Sequence, residues 1–314
     1  MNLDFEKPIG DIEDTIADLK AKNPEPSDAV KTELAKLEAS RQAKLKEVYA
    51  SLTPWQMVQV ARHPERPLIR DFIAGLCSEF IELHGDRHFG DDNGMIGGFA
   101  TLDGIRVMVI GHQKGRTLEE KIKCNFGQAC PEGYRKALRL MKLAEKFHVP
   151  VVAFIDTPGA FPGKDAEERG QAEAIARNLL EMAVLKTPVV AIVTGEGGSG
   201  GAIGIGVGDV ILMLSNAVYS VISPEGCASI LWRDGTKAPE AANALKITAK
   251  SLMDLKIADE IVPEPVGGAH RDVAGTMAAT RKVIVKHLKK LQGFSSSKLL
   301  KRRFDKYAAM GRFR

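Results

Sequence analysis

Gly195-Glu196-Gly197-Gly198-Ser199-Gly200-Gly201 follows the apolar run Pro188 to Thr194 and precedes Ala202-Ile203-Gly204-Ile205-Gly206-Val207-Gly208. A continuous β-branched run reads as a strand buried on both faces, and the glycines after it read as a turn that opens a helix. The same grammar occurs three more times. Arg106 to Ile110 leads into Gly111-His112-Gln113-Lys114-Gly115-Arg116, after which Pro131 opens an amphipathic helix through Leu138, Met141, Ala144 and Phe147. Val149 to Ile155 leads into Asp156-Thr157-Pro158-Gly159-Ala160-Phe161-Pro162-Gly163 and a helix carrying Ile175, Leu179 and Met182. Tyr219 to Ile222 leads into Ser223-Pro224-Glu225-Gly226, where Ser223 caps and Pro224 takes the first helical position. Repeated strand, turn and helix predict an α/β layered fold with its chemistry at the strand ends.

Working outward, Ile9, Ile12, Ile16 and Leu19 recur at helical spacing, and Asn23 to Asp28 breaks the run. A second helix carries Val30, Leu34, Leu37, Leu45, Val48 and Leu52, interrupted by Arg41 and Lys44. Residues 1–52 therefore read as a helical hairpin, an arm for packing and assembly; residues 53–280 form the main domain and 281–314 a basic helical tail. The whole chain carries 44 Lys and Arg against 40 Asp and Glu, a net +4. The tail holds 12 of those basic residues and the single acid Asp305, so it contributes +11 and leaves −7 for residues 1–280. An amphipathic, solvated helix accounts for it, and no nucleic-acid partner is expected.

With 314 residues, 44 % of them hydrophobic, the chain buries a sizeable core, which excludes disorder and fibrous repeats. No apolar stretch approaches the ~20 residues of a membrane span, and the N-terminus lacks the basic and apolar regions of a secretory leader. No membrane association and a cytoplasmic location are expected. Cys77, Cys124, Cys130 and Cys227 form no C-x-x-C pair, so they read as reduced thiols. His84-Gly85-Asp86-Arg87-His88 reads as a surface loop, and no metal site is expected.

The 195–201 run satisfies several patterns. Gly195-x-Gly197-x-x-Gly200 has the dinucleotide spacing, but Asp209 falls before the next strand, and a ribose-binding acid belongs after it. No Lys-Ser/Thr follows for a P-loop. Gly197-x-Ser199-x-Gly201 fits a nucleophile elbow, with Asp259, Glu260 or Glu264 and then His270 in the order of a hydrolase triad. A third reading takes the glycines as bare backbone N–H groups at a helix start, as an oxyanion hole requires; a plain tight turn is the fourth. Pro158-Gly159-Ala160 exposes amides in the same way beside the neighbouring unit. Two such loops aimed at one oxygen supply roughly 3–4 kcal/mol of transition-state stabilisation without a titrating side chain.

Across nearly its whole length the chain resembles the α-subunit family of the carboxyltransferase component of bacterial acetyl-CoA carboxylases. The resemblance is carried by Ala61-Arg62-His63-Pro64, Gly111 to Arg116, Pro131 to Ala137, Ile155 to Gly163, Glu167 to Gln171, Gly195 to Gly201, Ser223 to Trp232 and Gly267 to Arg271. It implies a crotonase-like (ClpP/crotonase) fold of repeated ββα units in residues 53–280. It also implies an α2β2 complex with a zinc-containing β subunit, working with biotin carboxylase and the biotin carboxyl carrier protein. The implied reaction moves a carboxyl group from carboxybiotin on that carrier to acetyl-CoA, giving malonyl-CoA for fatty acid biosynthesis. No cofactor is then bound covalently to this chain.

Such transfer builds negative charge on a thioester enolate and on the biotin ureido oxygen, and the released biotin anion can itself take the methyl proton. By resemblance, Gly200 and Gly201, then Gly159 and Ala160, supply the amides of the α hole, which is expected to face biotin. Gly197, Gly198, Phe161, Lys114 and Arg116 are assigned to substrate binding, the last two to a carboxylate or a CoA phosphate. Cys124, Gln128-Ala129-Cys130 and Lys164-Asp165 depart from the family pattern at the cleft edge. A serine hydrolase using Ser199, and a non-catalytic assembly subunit, are the alternatives.

Overall fold

The computed structural model describes residues 3–311. Eight strands of the described residues join in one sheet: β1 (Cys77–Glu82), β2 (Met95–Leu102), β3 (Ile105–His112), β4 (Val151–Thr157), β5 (Val189–Gly198), β6 (Val210–Leu214), β7 (Val218–Ser220) and β8 (Glu260–Val262). Their order is β1-β2-β3-β4-β5-β6-β8, with β7 paired to the far end of β5. β1, β2 and β3 form an antiparallel meander, and the other pairings are parallel. Asp103-Gly104 makes the β2–β3 hairpin, with φ of 52° and 77° that suit the tight two-residue turn of twisted strands. That dipeptide is the signal for a strand pair that the apolar run from Arg106 shows only in half.

The helices are α1 (Lys7–Lys22), α2 (Asp28–Tyr49), α3 (Pro54–Ala61), α4 (Ile69–Leu76), α5 (Leu118–Lys123), α6 (Pro131–Lys146) and α7 (Lys164–Glu168). They continue with α8 (Gln171–Ala183), α9 (Ser199–Ile203), α10 (Pro224–Trp232), α11 (Ala238–Leu245), α12 (Ala249–Asp254), α13 (Val273–Gln292) and α14 (Ser296–Ala308). None is long and apolar enough to cross a membrane. α6 lays Ala137, Leu140, Met141 and Ala144 on the sheet. It stops one residue short of Phe147, which is exposed.

α1 and α2 form the expected hairpin, with Ser27 capping α2. The hairpin is tied to the body by Arg271, which reaches Glu13 Oε1 at 2.6 Å and Glu6 Oε1 at 3.0 Å, while Tyr49 donates to Glu6 at 2.8 Å.

Packing decides two further stretches. The Ala202–Gly208 stretch does not continue as a helix, because α9 ends at Ile203 and the remaining glycines form a turn against α14. The Tyr307 hydroxyl accepts from Gly208 N–H at 2.9 Å and lies 3.3 and 3.2 Å from the Gly206 and Gly208 carbonyls.

The basic tail, as far as residue 311, is amphipathic as expected, docked on one face and with Lys282, Lys289, Lys290, Lys301 and Arg302 exposed on the other; Arg312 and Arg314 lie outside the described residues. Ile284, Leu288, Leu291 and Leu299 join the core. Arg303 is 1 % exposed, forked onto Asp209 at 2.9 and 2.7 Å and onto the carbonyls of Met182, Leu185 and Thr187. Its chain position next to Arg302 looks like surface charge. Only the fold brings it to Asp209.

Arg303→Ala should leave the buried Asp209 carboxylate unpaired and cost about 3–5 kcal/mol in denaturant unfolding, while the paired change Arg303→Met with Asp209→Leu should recover most of that loss.

Candidate functional site

β4 and β5 run parallel, and their carboxyl ends carry the two loops singled out by the sequence. Contrary to the reading of 195–201 as a turn, β5 runs on through the glycines to Gly198, because β7 supplies a partner: Glu196, Gly197 and Gly198 pair with Val218, Tyr219 and Ser220. The turn comes at Ser199, which adopts φ +49°, a left-handed conformation rare for a residue with a Cβ.

Thr157 fixes the first loop by donating to Gly159 O at 2.7 Å and accepting from Gly159 N–H at 3.1 Å. Phe161 N–H donates to Ala129 O at 3.1 Å, and the Gln171 amide donates to both Ala129 O and Phe161 O at 2.9 Å.

The two loops meet backbone on backbone. A Cβ on Gly198 would collide with the Pro158 carbonyl, and one on Gly201 would stand 2.5 Å from Gly159 C and 2.7 Å from Ala160 N. A Cβ on Gly197 would strike the Tyr219 ring at 2.7 Å. Gly200 differs, since the nearest atom to a Cβ there is Ile175 Cδ1 at 3.5 Å, an ordinary contact. A Cβ on Gly195 would collide with Asp156 Oδ1, so four glycines of the run are needed for close approach, and Gly200 alone of the five has room for a side chain.

A cleft of about 460 Å³ is bordered by Gly159, Ala160, Phe161, Ser199, Gly200 and Val221. A second cavity of about 330 Å³ lies across the same turn, lined by Ile203, Tyr219, Leu245, Leu252, Leu255 and Ile257. Ser199, Gly200 and Val221 border both. Among the amides at this junction, Gly159 N–H is spent on Thr157, whereas no described group accepts from Ala160 N–H. The N–H groups of Ser199 and Gly200, in the first turn of α9, have no acceptor within that helix. Ala160 and Gly200 thus border the cleft with N–H groups that donate to no described residue, and Gly201 is buried.

Lys114 and Arg116 do not reach the cleft. Lys114 Nζ sits between Asp156 Oδ1 at 2.7 Å and Glu196 Oε2 at 2.9 Å, so its charge is used inside the protein. Burial opposes that charge, but the two carboxylates outweigh it and hold its pKa above the ordinary lysine value. Arg116 pairs with Asp71 at the surface. His112, two residues before Lys114 and outside the sequence-based candidates, is fully buried with its ring against the carbonyls of Gly201 and Phe154. Burial, with the neighbouring Lys114 charge, lowers its pKa to about 3 and keeps the ring neutral.

The hydrolase triad is not assembled. His270 stacks on His63 at a centroid distance of 3.8 Å, and no histidine lines either cavity at Ser199. Glu264 is held by Arg66, Asn216 and Ala269; Asp259 by Ile211 and Lys306; Glu260 by Lys286 and His287. His84 contacts Asp91 at 2.9 Å, and no group of three or more His, Cys, Asp or Glu among the described residues is placed to hold a metal.

Solved structures define the class of the fold. The chain superposes on transcarboxylase 12S, crystallised with methylmalonyl-coenzyme A, at a TM-score of 0.57 and 19 % identity; the match covers 80 % of this chain and 44 % of that one. It superposes equally, at 0.57 and 15 % identity, on a chain of a Pseudomonas malonate decarboxylase hetero-tetramer in complex with coenzyme A, covering 71 % and 89 %. The fold is that of the crotonase-like carboxyltransferases. Residues 2–311 match the family described as acetyl co-enzyme A carboxylase carboxyltransferase-like. The acetyl-coenzyme A carboxylase carboxyl transferase subunit alpha of Geobacter metallireducens is 54 % identical over 99 % of this chain and 98 % of its own length. The subunit of the same name from Halalkalibacterium halodurans is 55 % identical over 99 % and 96 %. The chain belongs to this family of carboxyltransferase α subunits.

Gly198→Ala and Gly201→Ala should each force the loops apart and lower the melting temperature by several degrees, whereas Gly200→Ala should melt within about a degree of the parent. In acid, unfolded His112 takes up a proton below its ordinary pKa near 6.5 and the native ring does not, so stability should fall as pH drops from about 6.5 toward 3. Chemical denaturation at pH 6 and pH 4.5 should show His112→Gln with the shallower fall, the difference being up to about 1.4 kcal/mol per pH unit.

Proposed function

We propose that the chain is the α half of a carboxyltransferase that moves a carboxyl group from carboxybiotin to acetyl-CoA, giving malonyl-CoA, in the cytoplasm. The observation that carries the reading is the junction itself: two backbone loops in contact, offering Ala160 N–H and Gly200 N–H to a cleft. The family relationship supplies the substrate class. The partners follow in the same way: a zinc-containing β subunit in an α2β2 complex, the biotin carboxyl carrier protein and biotin carboxylase.

The chemistry suits a site of this kind. Loss of the carboxyl group leaves negative charge on the biotin ureido oxygen, and attack on that group proceeds from the acetyl methyl carbon as an enolate. Fixed N–H donors stabilise an oxyanion without reorganising, each worth on the order of 3 kcal/mol when water is excluded. Ala160 N–H and Gly200 N–H are assigned to the ureido oxygen, and Phe161 to the wall of the cleft against the ring. The enolate hole belongs to the β subunit. Methyl deprotonation then falls to the released biotin anion, so no base from this chain is required.

Carboxyl exchange between malonyl-CoA and free biotin tests the reading. Activity is expected in a mixture with the β subunit and not with either chain alone. Gly200→Val should lower turnover on the order of 100-fold in a complex that still assembles. Exchange by the α chain alone, or silence in an assembled α2β2 complex, would overturn the reading. Full activity in the Gly200→Val complex would leave only an assembly role for this chain.

A further inference from the structure

The pairing of β4 with β5 jumps from Ile155–Val193 to Thr157–Gly197, so Thr194, Gly195 and Glu196 all face the single residue Asp156. Such an excursion, buried at a sheet end, strips backbone groups of their ladder partners. Side chains restore them. Glu196 N–H donates to Asp156 Oδ1 at 2.9 Å, and Thr194 O accepts from Arg66 Nε at 2.7 Å.

The carboxylate doing this is itself one step of a ladder of alternating charge. Asp156 Oδ1 meets Lys114 Nζ at 2.7 Å, Lys114 meets Glu196 Oε2 at 2.9 Å, Glu196 Oε1 meets Arg62 Nε at 2.6 Å, and Arg62 pairs with Glu225 at the start of α10. None of these side chains lines the cleft. Gly198, which touches Pro158, lies only two residues beyond Glu196. The ladder therefore sets the distance between the end of β4, which carries Ala160 N–H, and the end of β5, which carries Gly200 N–H.

Resting on the function proposed above, we infer that Lys114 and Glu196 are positioning residues for carboxyl transfer, acting through the spacing of the Ala160 and Gly200 amides and not by touching substrate. Their charges are maintained against burial by one another: Lys114 is held above, and Glu196 below, its ordinary pKa. Apolar side chains of similar volume would fill the same space with less desolvation cost. What the ions add is direction, since each oxygen and each N–H has one defined partner. An oxyanion hole needs that definition, because a displacement on the order of 1 Å costs about 100-fold in rate.

The test uses Lys114→Met and Glu196→Gln in the assembled α2β2 complex, assayed by exchange between malonyl-CoA and free biotin. Turnover per complex should fall on the order of 10- to 100-fold, with KM for malonyl-CoA within about twofold of the parent. Lys114→Met combined with Gly200→Ala should be no slower than the slower of the two single variants, because both act on the same pair of amides. Unchanged turnover with a lower melting temperature, multiplicative losses in the double variant, or failure of both variants to assemble would each overturn the inference and assign the ladder to stability alone. A silent parent complex would overturn the functional reading and this inference with it.

Discussion

The contact on which the structure depends is backbone against backbone, where Gly198 rests on the carbonyl of Pro158 and Gly201 on the Gly159–Ala160 peptide. Peptide groups approach this closely only where neither carries a side chain in between, which explains the glycines at 198 and 201, while Gly197 makes room for the Tyr219 ring. The rest of the molecule works around that requirement. β7 extends β5 through the glycines, Thr157 and Gln171 pin the opposing loop, and Tyr307 closes the glycine turn after α9 from behind.

Bringing two strand ends so close leaves polar groups and charges buried, and the fold satisfies them with paired ions. The ladder from Asp156 to Glu225 lies next to the junction, Arg66 and Glu264 meet β5 at Thr194, and Arg303 with Asp209 serves the opposite, amino end of β5 at Val189. Each arginine also donates to a backbone carbonyl or to a second carboxylate, so the ions orient the backbone as well as one another. In the function proposed above, this framework leaves the chemistry at the cleft to amides, which neither titrate nor need activation.

Much of this was legible in the chain. Apolar runs marked β3, β4, β5 and β7, Ser223-Pro224 marked the start of α10, and the glycine run marked the end of β5 and the start of α9, though β5 runs on to Gly198 through residues that read as a turn. The residues beneath the site were not legible in the same way. Lys114 and Arg116 look alike in a strand-end loop, yet one is clamped between two carboxylates and the other is at the surface. His112 carried no local signal, because its burial depends on α9 and β4 bringing the Gly201 and Phe154 carbonyls against its ring. The Ser199 elbow pattern was present as a string, but the acids and the histidine it needs are held by Arg66, Lys306, Lys286 and His63 elsewhere.

By itself the sequence determined the strand and helix grammar, the helical hairpin and the loops that bear the amides, since these follow from periodicity, capping and the steric freedom of glycine over a few residues. Only the tertiary structure decided which N–H groups stay free, which glycine faces the cleft, and which charges serve one another. Those outcomes depend on distances between residues 40 to 163 positions apart, and a chain states such distances nowhere until its sheet has closed.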